Sequence, residues 1–142
     1  MSPSQNASSS ADELCTAEVK ELHQFFEDWL TGRRPETESA FERVERALGP
    51  SFRLIDPSGR ERRRGDIQEG LRTGYGSEPD LTIQVRDVQV MEEGENLLLA
   101  TYEEWQETGD STDGRLSTVL FRRDGAATNG LRWAHVHETW IQ

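Results

Sequence analysis

The spacing of apolar residues changes period halfway along this chain, and that change limits the folds open to it. Leu14, Val19, Leu22, Phe25, Phe26, Trp29 and Leu30 fall on one face of a helix. Leu81, Ile83 and Val85 instead alternate, as residues do on one face of a strand. Val88 and Val90 alternate in the opposite phase, which predicts a β-bulge near Arg86-Asp87. Three further strands are predicted over Leu97–Glu107, Arg115–Arg123 and Leu131–Ile141, with turns at Gly109–Gly114 and Asp124–Gly130. Helices followed by a run of antiparallel strands is an α+β layout.

Local signals sharpen the first half. Residues 1–11 carry no charged side chain and read as a disordered tail, leaving 12–142 as a single domain. Order is expected from Ser10, because Ser10-Ala11-Asp12-Glu13 fits a capping box. Gly32 is the expected stop of the first helix. A second helix is expected from Thr37, burying Ala40, Phe41, Val44 and Leu48 and ending at Gly49-Pro50. A short strand over Phe52–Ile55 and a turn at Asp56-Pro57-Ser58-Gly59 follow. Ile67, Leu71 and Tyr75, four apart, predict a short third helix broken by Gly74 and Gly76.

Composition excludes several partners. The 142 residues carry 27 acidic and 16 basic side chains, a formal charge of −11, and Lys20 is the only lysine. This balance disfavours nucleic acid, which is bound by displacing counterions with positive charge, and anionic membrane surfaces. Leu97–Ala100 is too short to span a bilayer, and no apolar signal region is present at the start. Cys15 is alone, which removes an intrachain disulfide and a cysteine zinc site. A cytoplasmic protein is expected. Hydrophobic residues are only 33%, so the four Trp and five Phe must supply much of the core.

Trp133-Ala134-His135-Val136-His137-Glu138-Thr139-Trp140 resembles the closing strand of the nuclear transport factor 2-like superfamily. The likeness is to its SnoaL-like branches and to the association domain of calmodulin-dependent protein kinase II. Phe121-Arg122-Arg123-Asp124-Gly125 is similar to the family's penultimate strand, and Gly65 leading into Ile67 and Leu71 to its third helix. The resemblance covers roughly Glu13–Gln142. It implies a cystatin-like cone: a curved antiparallel sheet packed against N-terminal helices, with an internal pocket. It also implies a homodimer through the outer sheet face. Family activities range from isomerases, dehydratases and hydrolases to non-enzymatic association modules, so function rests on the site. A Tyr and two Asp, the ketosteroid isomerase arrangement, do not map onto these residues.

By analogy with the association domain, Ala134, Val136, Glu138 and Trp140 face into the cone. The same alignment turns Thr101, Glu103 and Trp105 inward, with Leu116, Thr118 and Leu120. Glu103 and Glu138 then share a cavity and are the candidate catalytic acid–base pair, since two buried carboxylates repel and one holds its proton at higher pH. The competing reading pairs each with an arginine such as Arg53, Arg72 or Arg86 and assigns no chemistry. Tyr75, Trp105, Thr118 and Trp140 are the candidate ligand-binding residues. Tyr102, Glu104, His135 and His137 are placed on the dimer face. His135 and His137 lie two apart and would need Glu104 to complete a metal site, so no metal and no cofactor is expected. The run Arg60–Arg64 precedes a helix and reads either as an anion site or as a solvated loop. The leading function is binding of a small, largely apolar molecule in the cone, with isomerase, dehydratase or hydrolase chemistry open. The alternative is a non-catalytic homodimeric association module whose cone is filled by Trp105 and Trp140.

Overall fold

The computed structural model describes residues 10–142. The expected tail therefore lies, over residues 1–9, outside the described residues. The first helix, α1 (Ala11–Leu30), starts as the capping box requires. The Ser10 hydroxyl accepts from the Glu13 N–H at 3.1 Å, and the Glu13 carboxylate accepts from the Ser10 N–H at 3.2 Å. Cys15, Val19, Leu22, Phe25 and Trp29 form its buried stripe. Gly32, with φ +79°, supplies the left-handed residue that turns the chain away. The second helix, α2 (Glu38–Ala47), is capped by the Thr37 hydroxyl accepting from the Ala40 N–H at 3.1 Å. It buries Phe41, Val44 and Ala47.

Strand β1 (Leu48–Ile55) follows directly, so Gly49 and Pro50 lie inside a strand longer than the sequence predicts. The turn at Asp56–Gly59 leads to β2 (Glu61–Arg63) and α3 (Arg64–Thr73). Arg60–Arg64 thus forms a hairpin arm and the start of a helix. The Trp29 indole donates to the Leu71 carbonyl at 2.7 Å and ties α1 to α3. Tyr75 lies beyond α3; its hydroxyl donates to the Arg34 carbonyl, and its ring meets Trp29 edge-on at 4.8 Å.

β3 (Thr82–Glu93), β4 (Leu97–Thr108), β5 (Ser111–Arg123) and β6 (Leu131–Ile141) complete the sheet, with a 3-10 turn at Thr128–Gly130 before β6. The described strands form one curved, unclosed sheet in the order β2-β1-β6-β5-β4-β3. β1 runs parallel to β6; the other neighbours are antiparallel. The β4–β5 turn is only Gly109-Asp110, because pairing continues to Thr108 opposite Ser111. The predicted bulge is present: register shifts between Arg86 and Gln89, with Asp87 at φ +57°.

A bulge in β6 was not visible in the sequence. Phe121 pairs with Trp133 while Leu120 pairs with His135, leaving Ala134 as the extra residue. Trp133 and Val136 therefore share the buried face, although they are three apart. The inner face also carries Leu98, Ala100, Tyr102, Val119 and Phe121, packed against the α1 stripe. Each large side chain buried there contributes about 1.5–3 kcal/mol. The outer face leaves Leu97 and Leu116 exposed. No helix of the described residues is long and apolar enough to cross a membrane.

Candidate functional site

The concave side of the sheet does not close on the helices. A cavity of about 630 Å³ remains between them, within the range of small-molecule sites. Leu22 and Phe26 of α1, Phe52 and Leu54 of β1, Ile67 of α3 and Val136 of β6 give it apolar walls. Several of its polar groups come from two rows across the sheet. Glu104, Arg115 and Trp140 are aligned over β4, β5 and β6, and Tyr102, Ser117 and Glu138 form the next row. Register alone brings these residues together, since facing residues of neighbouring strands share one side of the sheet.

The sheet side of the cavity is charged. His23 on α1 donates from one ring nitrogen to the Val19 carbonyl at 2.8 Å, and its Nε2 meets Glu104 Oε1 at 3.2 Å. Gln106 donates to the other Glu104 oxygen at 2.6 Å. Arg115 donates to Glu138 Oε1 at 3.3 Å and lies over the Trp140 ring at 4.8 Å. These contacts set the charge states. Burial opposes protonation of His23, but the Glu104 carboxylate outweighs it and holds the imidazole above its usual value. Burial likewise pushes Glu104 up, yet His23, Gln106 and Arg115 hold it down to about 2. Glu138 has the opposite balance: burial and the nearby Glu104 charge raise it, and Arg115 only partly offsets them.

The structure corrects the expected grouping. Glu138 and Trp140 do face the cavity. Glu103 does not join Glu138: it pairs with Leu116 on the convex side and accepts from the Trp105 indole at 2.8 Å. Trp105 and Thr118 share that convex side, with Arg86 over the Trp105 ring at 5.1 Å. Tyr75 packs behind Trp29 and is not among the cavity walls. Of the four residues placed on the outer face, His135 and His137 are there, opposite Leu120 and Thr118. Tyr102 and Glu104 are buried on the inner side. The two histidines and Glu104 therefore do not converge, and no cluster able to hold a metal is found among the described residues. The reason is one residue of register: Glu138 lies beside Ser117, and Ser117 beside Tyr102.

His23 and Arg115 were missed. His23 carried a signal, being the one ionisable group among Val19, Leu22, Phe26 and Trp29 on an apolar stripe. Arg115 carried none: it opens a predicted strand, and only the pairing with Glu104 and Trp140 turns it toward the cavity. Cys15 is buried, and burial pushes its thiol up to about 12, which removes it as a nucleophile.

Comparison with known proteins places this arrangement in a family. Residues 15–142 match the family described as Sucrose-6-phosphate phosphohydrolase C-terminal. Sucrose-phosphatase 1 of Nicotiana tabacum is 29% identical over 128 residues, covering 88% of this chain and 30% of that protein. The probable sucrose-phosphatase 2 of Arabidopsis thaliana is 26% identical over 126 residues, covering 87% and 29%. The chain thus spans about 30% of the length of these relatives. Among solved structures, an NTF-2 like protein of unknown function from Pseudomonas aeruginosa superposes with a TM-score of 0.81 at 25% identity, covering 91% of this chain and 99% of that one. The CaMKII hub of S. rosetta shares the fold with a TM-score of 0.74 at 12% identity, covering 94% and 99%. This chain has the nuclear transport factor 2-like fold and belongs to the sucrose-6-phosphate phosphohydrolase C-terminal family.

Proposed function

We propose that the chain binds a small, largely apolar molecule in its cone, with Glu138 as the group that holds or moves a proton there. The carrying observation is a buried carboxyl inside an open cavity. Glu138 lines the space, keeps one oxygen clear of Arg115, and sits beside the ionised Glu104. A carboxyl whose hold on its proton is strengthened by burial can give or take that proton. The filled-cone alternative loses its two plugs: Trp105 faces outward, and Trp140 stands at the rim with 47% of its surface exposed.

The relatives named sucrose-phosphatases suggest a sugar phosphate as a second ligand class. The cavity chemistry argues against it. Arg115 is already engaged by Glu138, and Asp56, Asp66, Glu78 and Glu104 add negative charge around the same space. We place binding here, and not phosphate-ester hydrolysis. A ligand-detected NMR screen tests the reading: apolar fragments are expected to bind and sucrose 6-phosphate is not. A screen in which apolar fragments fail to bind overturns it.

The same reading includes a homodimer through the convex sheet face. Leu97 and Leu116 are exposed there beside Thr118 and His137. Light scattering is expected to give a dimer, and Leu116→Glu a monomer; a wild-type monomer at micromolar concentration contradicts this part.

A further inference from the structure

Each cation that lines the cavity faces a carboxylate, while Asp66 and Glu78 form no ion pair with any described residue. His23 faces Glu104 at 3.2 Å, Arg115 faces Glu138 at 3.3 Å, and Arg62 faces Asp56 at 3.8 Å. Asp66 accepts from the Arg63 N–H at 2.9 Å, and Glu78 lies at the wall. Every cation that lines the space is thus already assigned a carboxylate. The Glu138 side chain is 6% exposed, so the pair it forms with Arg115 is largely removed from water. A charged ligand group placed beside that pair would lose its hydration and meet one like charge for each opposite one.

The Arg115–Glu138 pair is also incompletely bonded. A guanidinium and a carboxylate can join through two parallel hydrogen bonds. Here there is one, between Arg115 Nη1 and Glu138 Oε1, and Arg115 Nε has no partner. The second Glu138 oxygen accepts no hydrogen bond from any described residue. One acceptor and one cationic donor group therefore stand side by side at the polar end of an apolar cavity, beside the Trp140 ring.

We propose that the ligand of this cavity is uncharged and carries a single hydroxyl or amide head, which donates to Glu138 and accepts from Arg115 while its apolar body fills the space between α1, β1 and α3. This rests on the binding function proposed above and names its ligand class. Ammonium heads are refused by Arg115 and His23, and carboxylate or phosphate heads by Glu138 and Glu104. The preference is for a neutral donor–acceptor over either ion, which an apolar pocket with a single charged residue would not give.

Three compounds of one shape test it on the wild-type protein: 3-phenylpropan-1-ol, 3-phenylpropylamine and 3-phenylpropionate, titrated by calorimetry at neutral pH. The alcohol is expected to bind at least tenfold more tightly than both ions. In Glu138→Leu the advantage over the carboxylate is expected to fall, because the repelling charge is gone. Equal or tighter binding of either ion overturns the ligand class and leaves the binding function standing. Failure of all three to bind overturns both.

Discussion

His23 Nε2 and Glu104 Oε1 meet at 3.2 Å and join α1 to the inner face of β4. The pair is buried on both sides, so its contribution to stability depends on both charges being present. Glu104 is lower in the folded chain than in the unfolded one. Its contribution is complete above the ordinary glutamate value of ~4.3 and is lost as pH falls through the folded value. His23 is higher in the folded chain. Its contribution is complete below the ordinary histidine value of ~6.5 and is lost as pH rises through the folded value. Urea unfolding from pH 4 to 9 is therefore expected to show the largest gap between wild type and Glu104→Gln between those limits. A gap of about 3–5 kcal/mol fits the breaking of a buried pair, and a gap independent of pH contradicts the assignment.

Glu138 gives the opposite pH dependence. Burial and the Glu104 charge raise it in the folded chain, so the native state binds its proton more tightly than the unfolded state does. Stability is then lost as pH rises from ~4.3 through the raised value. In Glu138→Gln this loss is absent, and the variant is expected to gain on wild type across that interval in the same unfolding series. A variant that steadily loses ground as pH rises would show a lowered carboxyl instead.

Glu18 is a second buried carboxylate, outside the cavity and fully satisfied. It accepts from Arg43 at 2.9 and 3.2 Å, from Asn129 at 3.0 Å and from the Trp133 indole at 2.9 Å. Arg43→Ala leaves this charge short of its main partner and is expected to cost about 3–5 kcal/mol. Arg43→Ala combined with Glu18→Gln is expected to cost less than the sum of the two single changes. Strict additivity in denaturant unfolding would show that the two side chains do not interact.

On the convex side, Gly114 sits under the Trp105 ring, and a Cβ added there would lie 2.6 Å from ring carbons. Gly114→Ala is expected to destabilise by about 1–3 kcal/mol, as overpacking does. Trp105→Leu in the same chain should recover part of that loss. No recovery would place the strain in the backbone.

Much of the architecture is legible in the sequence because it rests on local signals. The Ser10 capping box, the Thr37 cap and the Arg86-Asp87 bulge each follow from a few neighbouring residues. The order of helices and strands follows from the change of hydrophobic period. The site is less legible, because it depends on pairing between distant strands. Leu97, Leu99 and Trp105 on one side of β4 are as apolar as Leu98, Ala100 and Tyr102 on the other, so composition does not say which side is inward. The Ala134 bulge hides the fact that Trp133 and Val136 share a face. The family likeness turned Ala134, Val136, Glu138 and Trp140 inward; the last three line the cavity, Ala134 is the bulge residue, and a one-residue shift across β5 and β4 put Glu104 there in place of Glu103.

The central claim is that the concave side around Glu138 is a ligand site, and tryptophan indole signals report on it directly. Trp140 lines the cavity and Trp105 lies on the opposite side of the sheet. Proton–nitrogen NMR of the wild-type protein titrated with 3-phenylpropan-1-ol is predicted to shift the Trp140 indole signal progressively and saturably and to leave Trp105 in place. A saturable shift of Trp105 with Trp140 unmoved, or no shift of either at millimolar ligand, would contradict the account.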